Sequence, residues 1–94
     1  VVVGTCPDLG AARALPRPLR EVVAWRGRAV AAAEQEAVPT AGGVAVDLAA
    51  RTGPAFRADP ATLSSDLYHP SDVGYALWAE ALAPAVREAV TRTG

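Results

Sequence analysis

The run Val1–Thr5, VVVGT, has no polar residue between its valines and no alternation along its length. A strand with one wet face alternates with a period of two. A continuous β-branched run instead suits a strand buried on both faces, as in a parallel sheet. A second short run, Val44–Leu48 (VAVDL), has the same character. Between the two, Leu19 to about Val38 places Leu19, Val22, Val23, Val30 and Ala33 near one face at helical spacing, with Arg20, Arg28 and Glu34 elsewhere. Pro18 suits the first turn of that helix, and Pro39 with the pair Gly42-Gly43 is expected to end it. A helical crossover between two strands makes them parallel and the connection right-handed.

Two strands do not make a stable parallel sheet with both faces covered, and a strand that begins at residue 1 needs neighbours. No Met opens the sequence. The expectation is therefore the C-terminal part of a larger doubly wound, three-layer α/β domain, with residues 1–94 supplying a β-α-β-α portion. Cys6–Pro18 is read as a loop, punctuated by Pro7, Asp8, Gly10, Pro16 and Pro18. Ala49–Thr62, rich in Gly, Pro and Ala, is expected to be irregular or to hold a short helical turn. Asp72 to about Thr91 is the last helix, with Val73, Leu77, Ala81 and Leu82 on one face. Pro84 inside it is expected to kink or restart it.

Composition narrows the function classes. The residues are 51% apolar, mostly Ala and Val, which fits a globular chain and not a disordered one. The net charge is −1, and all nine basic residues are scattered arginines. No basic run tracks a phosphate backbone, so nucleic acid is not an expected partner. No apolar run approaches the roughly 20 residues of a membrane span. Cys6, the single cysteine, forms no internal disulfide. It reads as a small buried apolar residue, and Asp47 as a local hydrogen-bonding one. No basic-then-apolar leader is visible, so the cytoplasm is the expected location.

The chemistry concentrates in Ser65–Trp78, SDLYHPSDVGYALW, which holds the only histidine, His69. Asp66 lies three residues before it and Asp72 three after. A three-residue separation in a turn can set an Asp carboxylate against His Nδ1–H, which fixes the tautomer and leaves Nε2 free as a base. Pro70 biases His69 away from helical angles. Ser71 is a good N-cap, and Asp72 suits the first turn of the helix. Gly74 in that turn lowers helix propensity by about 1 kcal/mol relative to Ala, which points to close approach of another backbone. The residues alone leave three readings open: a catalytic Asp–His pair, a metal site from Asp66, His69 and Asp72, or an ordinary capping turn. No second His supports a metal, and no cofactor motif is present.

The block DLYHPSDVGYALWAEALAPAV resembles the last conserved block of the SGNH/GDSL hydrolases, an esterase and lipase-like family. There an Asp and a His stand three residues apart, and the His is followed by Pro, a spacer, Gly and an aromatic, then an Ala/Leu-rich helix. His69, Pro70, Gly74 and Tyr75 match in turn. VVVGTCPDLG is similar to the family's strand and loop before the penultimate helix, and GGVAVDL to its final strand. The resemblance is to bacterial single-domain members. It implies a three-layer α/β/α, flavodoxin-like fold, no cofactor and no metal, and a small-molecule acyl ester as substrate. By the same resemblance Asp66 orients His69, and His69 is the general base. Leu67 and Tyr68 are candidates for the acyl pocket. The family's G-D-S nucleophile, oxyanion Gly and G-x-N-D block have no counterpart here. Ser64, Ser65 and Ser71 lack the nucleophile's setting. The chain is thus expected to need an N-terminal part and to be inactive alone. The alternatives are a non-catalytic pseudo-enzyme and a small α/β binding or structural module.

Overall fold

The computed structural model describes residues 1–93. Strand β1, Val2–Gly4, and strand β2, Val44–Val46, pair in parallel with Val2 opposite Val44, Val3 opposite Ala45 and Gly4 opposite Val46. Val44 N–H donates to Val1 O at 2.9 Å, and Thr5 N–H donates to Val46 O at 2.9 Å, which closes the ladder at both ends. Helix α1, Leu19–Thr40, makes the crossover. The chain is thus a mixed α/β unit built on a parallel pair, as the valine runs predict.

The end of α1 differs in one detail. Pro39 lies inside the last turn and does not stop the helix. The stop is Gly42, at φ +89°, a left-handed angle that suits glycine. Gly43 N–H then turns back to Val38 O at 2.9 Å.

The buried face of α1 is Ala24, Gly27 and Ala31, while Leu19, Val22, Trp25 and Val30 are about half exposed. The expected valine face is therefore not the packed one. The reason is proximity. A Cβ on Gly27 would sit 3.1 Å from Leu9 Cδ1 and 3.5 Å from Cys6 Sγ, so only small residues let the loop after β1 lie against the helix.

The segment after β2 corrects the expectation of irregular structure. Helix α2, Leu48–Ala58, begins where the second strand was expected to continue. Asp47 is the switch: its Oδ1 accepts Ala50 N–H at 3.0 Å as an N-cap. Leu48, Thr52, Gly53 and Phe56 form the buried stripe, and Pro54 faces solvent. A 3-10 turn at Pro60–Thr62 follows, capped by Asp59. Helix α3, Asp72–Thr93, runs through Pro84 as one element and does not restart there.

The core that carries the site is small. Ala11, Phe56 and Leu63 are buried together, with Leu77 and Trp78 of α3 packed against them. The Phe56 and Trp78 rings stand 6.0 Å apart. Val73 is half exposed, so the packed face of α3 is Gly74, Leu77, Trp78 and Leu82, not one led by Val73. Among the described residues no helix is long and apolar enough to cross a membrane.

Candidate functional site

The histidine loop hangs between the Pro60–Thr62 turn and α3. Leu63 and Pro70 form an antiparallel bridge, and Ser64 N–H donates to His69 O at 2.8 Å, so Ser64–His69 is a closed loop. Ser71 N–H donates to Thr62 O at 2.9 Å, and Ser71 Oγ donates to Ala61 O at 2.5 Å. The same Oγ accepts Gly74 N–H at 3.3 Å, as an N-cap does. The start of α3 is thereby fastened to the turn before the loop. Gly74 permits this: a Cβ there would run into Thr62 O and lie 2.9 Å from the Phe56 ring.

Asp66 organises the loop interior. Its Oδ1 accepts three hydrogen bonds, from Ser64 Oγ at 2.7 Å, Tyr68 N–H at 2.9 Å and His69 N–H at 2.9 Å. Its Oδ2 lies 2.6 Å from His69 Nδ1. Leu67 takes a left-handed φ of +58° to close this turn, and its carbonyl accepts Ala14 N–H at 2.9 Å. The bond to His69, then the one from Ser64, then the two backbone bonds hold the Asp66 carboxyl well below the usual carboxylate range. An ionised carboxylate only accepts, so Nδ1 carries the proton and the neutral ring has its lone pair on Nε2.

The imidazole is open to approach, with its side chain 66% exposed. Tyr68 meets it edge-on, ring centroids 5.0 Å apart. Among the described residues no serine hydroxyl hydrogen-bonds to His69: Ser64 is turned to Asp66 and Ser71 to Ala61. Asp72 heads α3, and no group of three His, Cys, Asp or Glu side chains converges as metal ligands among the described residues. Cys6 is half-buried, and its thiol is pushed up first by burial and then by the nearby Glu34 charge, which disfavours the thiolate.

A second constellation was not legible locally. Asp8, just after β1, binds Arg57 at the end of α2 through two bonds: Nε to Oδ2 at 2.5 Å and Nη2 to Oδ1 at 2.9 Å. Asp8 Oδ1 also accepts Gly10 N–H at 3.1 Å. Arg13 Nη2 donates to Arg57 O at 2.9 Å, and Arg20 donates to Leu15 O at 2.9 Å and to Arg13 O at 3.1 Å. Together these arginines hold the loop whose Ala14 braces Leu67. The only hint in the sequence is an Asp placed just beyond a strand end, where parallel sheets build their sites.

An open imidazole held through Nδ1 by a carboxylate three residues earlier, at the head of an Ala/Leu-rich helix, is the arrangement that the resemblance to the SGNH/GDSL hydrolases implies. The comparison with known proteins supports a GDSL/SGNH-type family. The chain is 51% identical, over 97% of its length, to the GDSL-like esterase Rv1075c of Mycobacterium tuberculosis (strain ATCC 25618 / H37Rv), and it spans 29% of that protein. No family model matches the chain, and no solved structure matches it significantly.

Proposed function

We propose that the chain is the C-terminal segment of a single SGNH hydrolase domain of three-layer α/β/α, flavodoxin-like architecture. In it Asp66 orients, and His69 serves as general base for, a serine outside these residues, and the substrate is a small-molecule acyl ester. The observation that carries this reading is the 2.6 Å contact between Asp66 Oδ2 and His69 Nδ1 with the imidazole open to approach.

His69 Nε2 takes the proton of the serine hydroxyl as its oxygen attacks the ester carbonyl. The imidazolium that forms is stabilised by Asp66, which stays ionised. It returns the proton to the departing alkoxide, leaving an acyl-serine. A water then repeats the sequence: Nε2 takes its proton, the hydroxide attacks the acyl carbon, and the serine oxygen leaves with the proton. Acid and serine are released.

Two features support a larger domain. The backbone groups of Val2 and Gly4 point away from β2, so β1 offers a free edge on which a further strand can pair. Val22, Trp25 and Val30 on α1, with Val73, Tyr75, Val86 and Val90 on α3, are 46–64% exposed, more apolar surface than a finished three-layer domain shows.

The test is hydrolysis of p-nitrophenyl esters by the longer protein that this reading requires, with fluorophosphonate labelling to locate the serine. Turnover lost on His69→Ala supports the reading. Full turnover by His69→Ala sinks it. The 94-residue chain on its own is expected to show no turnover.

A further inference from the structure

The outer face of α1 has no partner in the fold. Ala24, Gly27 and Ala31 turn toward the rest of the chain. At about 3.6 residues per turn the opposite face carries Val22, Trp25, Ala29, Ala33, Glu36 and Thr40, all exposed. A sheet that grows from the free edge of β1 gives α1 neighbours at its flanks, where Leu19 and Val30 lie, and adds nothing behind the helix. Trp25 stands out from this face with the Arg26 guanidinium over its ring.

The same face holds a hollow. Ala33, Glu36, Ala37, Thr40 and Ala41 line an open depression of about 430 Å³, where the alanines leave only methyls. Ala37 lies about 18 Å along the axis from Trp25. A helix with a knob toward one end of a face and a hollow toward the other is matched by a second copy of itself laid antiparallel. One register then makes both contacts. Each Trp25 stands over Ala37 of the other copy, and Ala29 meets Ala33 at the two-fold axis, since both pairs have Ala31 as their midpoint. Alanines at the crossing let the two helix axes approach to about 8 Å.

The charges on the face agree with this direction. Arg26 and Arg28 lie in its first half and Glu36 in its second, and all three are exposed. None of them makes an ion pair among the described residues. The antiparallel register brings Glu36 of each copy against Arg26 and Arg28 of the other. Parallel pairing would set like charge on like and one Trp25 on the other.

We propose that the outer face of α1 is a dimer interface whose partner is a second copy of this chain, antiparallel, with each Trp25 seated in the other copy's hollow. The proposal is independent of the chemistry assigned to His69. One helix pair buries less than the roughly 1,200 Å² of a standard interface. The dimer is therefore expected to be reversible, with a Kd of about 1–100 μM.

The experiment is sedimentation velocity of the longer protein across that concentration range. The parent is expected to pass from monomer to dimer. Trp25→Ala is expected to raise Kd about tenfold or more, as loss of an aromatic anchor does. Glu36→Arg sets Arg against Arg and is expected to raise Kd by about tenfold. Adding Arg26→Glu and Arg28→Glu to that variant is expected to restore Kd to within about threefold of the parent. All four positions are exposed, so the variants are expected to fold, which far-UV circular dichroism checks. A parent that stays monomeric throughout overturns the proposal, and co-flotation of that monomer with anionic phospholipid vesicles would give the face to a bilayer instead. A dimer that neither Trp25→Ala nor Glu36→Arg weakens has its interface elsewhere and overturns the proposal equally. A charge swap that fails to restore a weakened dimer overturns the antiparallel register.

Discussion

Asp66 divides its two oxygens between two tasks: Oδ1 accepts Ser64 Oγ, Tyr68 N–H and His69 N–H, and Oδ2 alone meets His69 Nδ1. This division makes the residue harder to replace than its exposure suggests. In Asp66→Asn the side-chain carbonyl must stay at the Oδ1 position, where three donors converge. The amide NH2 is then forced to face His69 Nδ1. Nδ1 can answer only by accepting, which moves the proton to Nε2 and removes the lone pair that the proposed general base would use. The expected outcome is a loss of about 10³–10⁴ in kcat for the longer protein, with the fold retained, as in a triad whose orienting Asp becomes Asn. Ester hydrolysis together with far-UV circular dichroism checks it. A tenfold loss or less would mean that the amide flips and the three-donor arrangement does not set its orientation.

The same hydrogen bonds make the loop sensitive to acid in one direction. The folded-state pKa of Asp66 is depressed relative to its unfolded value, so the carboxylate's contribution is fully present above the unfolded pKa of about 3.9. It is lost as pH falls through the lower folded-state value. Amide exchange at Tyr68 and His69 is therefore expected to stay slow down to about pH 4 and to quicken only below it. In Asp66→Ala both amides lose their acceptor, and exchange is expected to be fast at every pH. Loss of protection in the parent well above pH 4 contradicts the assignment.

Gly74 offers a test in which two effects have opposite signs. Ala is better than Gly inside a helix by about 1 kcal/mol, so propensity alone makes Gly74→Ala stabilising. The structure says otherwise, because the new Cβ meets the Thr62 carbonyl and the Phe56 ring. The carbonyl accepts Ser71 N–H and is held in place, so neither backbone gives easily. Overpacking of this kind costs about 1–3 kcal/mol or more. A lower urea midpoint for Gly74→Ala is expected, with the start of α3 displaced. A higher midpoint would show that the contact relaxes.

What the sequence made legible follows how local each interaction is. The parallel pair was readable because valine runs and a single crossover leave few alternatives. The Asp66–His69 contact was readable because both partners lie in one turn. Helix α2 was not, because Gly53 and Pro54 argue against a helix, and the favourable terms are the Asp47 cap and the burial of Leu48, Thr52 and Phe56 against the rest of the chain. The packed face of α1 was misread for a related reason. Hydrophobicity marks Val22 and Val30, whereas the buried positions are Ala24, Gly27 and Ala31, with Gly27 set by close approach to Cys6 and Leu9 and Ala24 by close approach to Gly10. Trp25, the largest side chain of α1, lies 58% exposed with the Arg26 guanidinium 5.8 Å from its ring.

The Asp8–Arg57 pair is the contact no local pattern announced, its partners 49 positions apart in the sequence. The hydrogen bond to Asp8 raises Arg57 above an already high pKa, so the guanidinium stays charged. Arg57 is 55% exposed, and water screens the attraction. A double-mutant cycle with Asp8→Asn and Arg57→Gln is therefore expected to give a coupling of only about 1 kcal/mol or less in global stability. The larger effect should be local. Without the pair, Gly10 N–H loses an anchored acceptor, and the loop from Pro7 to Ala14 loses its tie to α2. Amide protection at Gly10 and Ala14 is expected to fall much further than at Ala31, in the middle of α1. Equal loss at all three positions would make the pair a general stabiliser and not the fastening of the loop that braces Leu67.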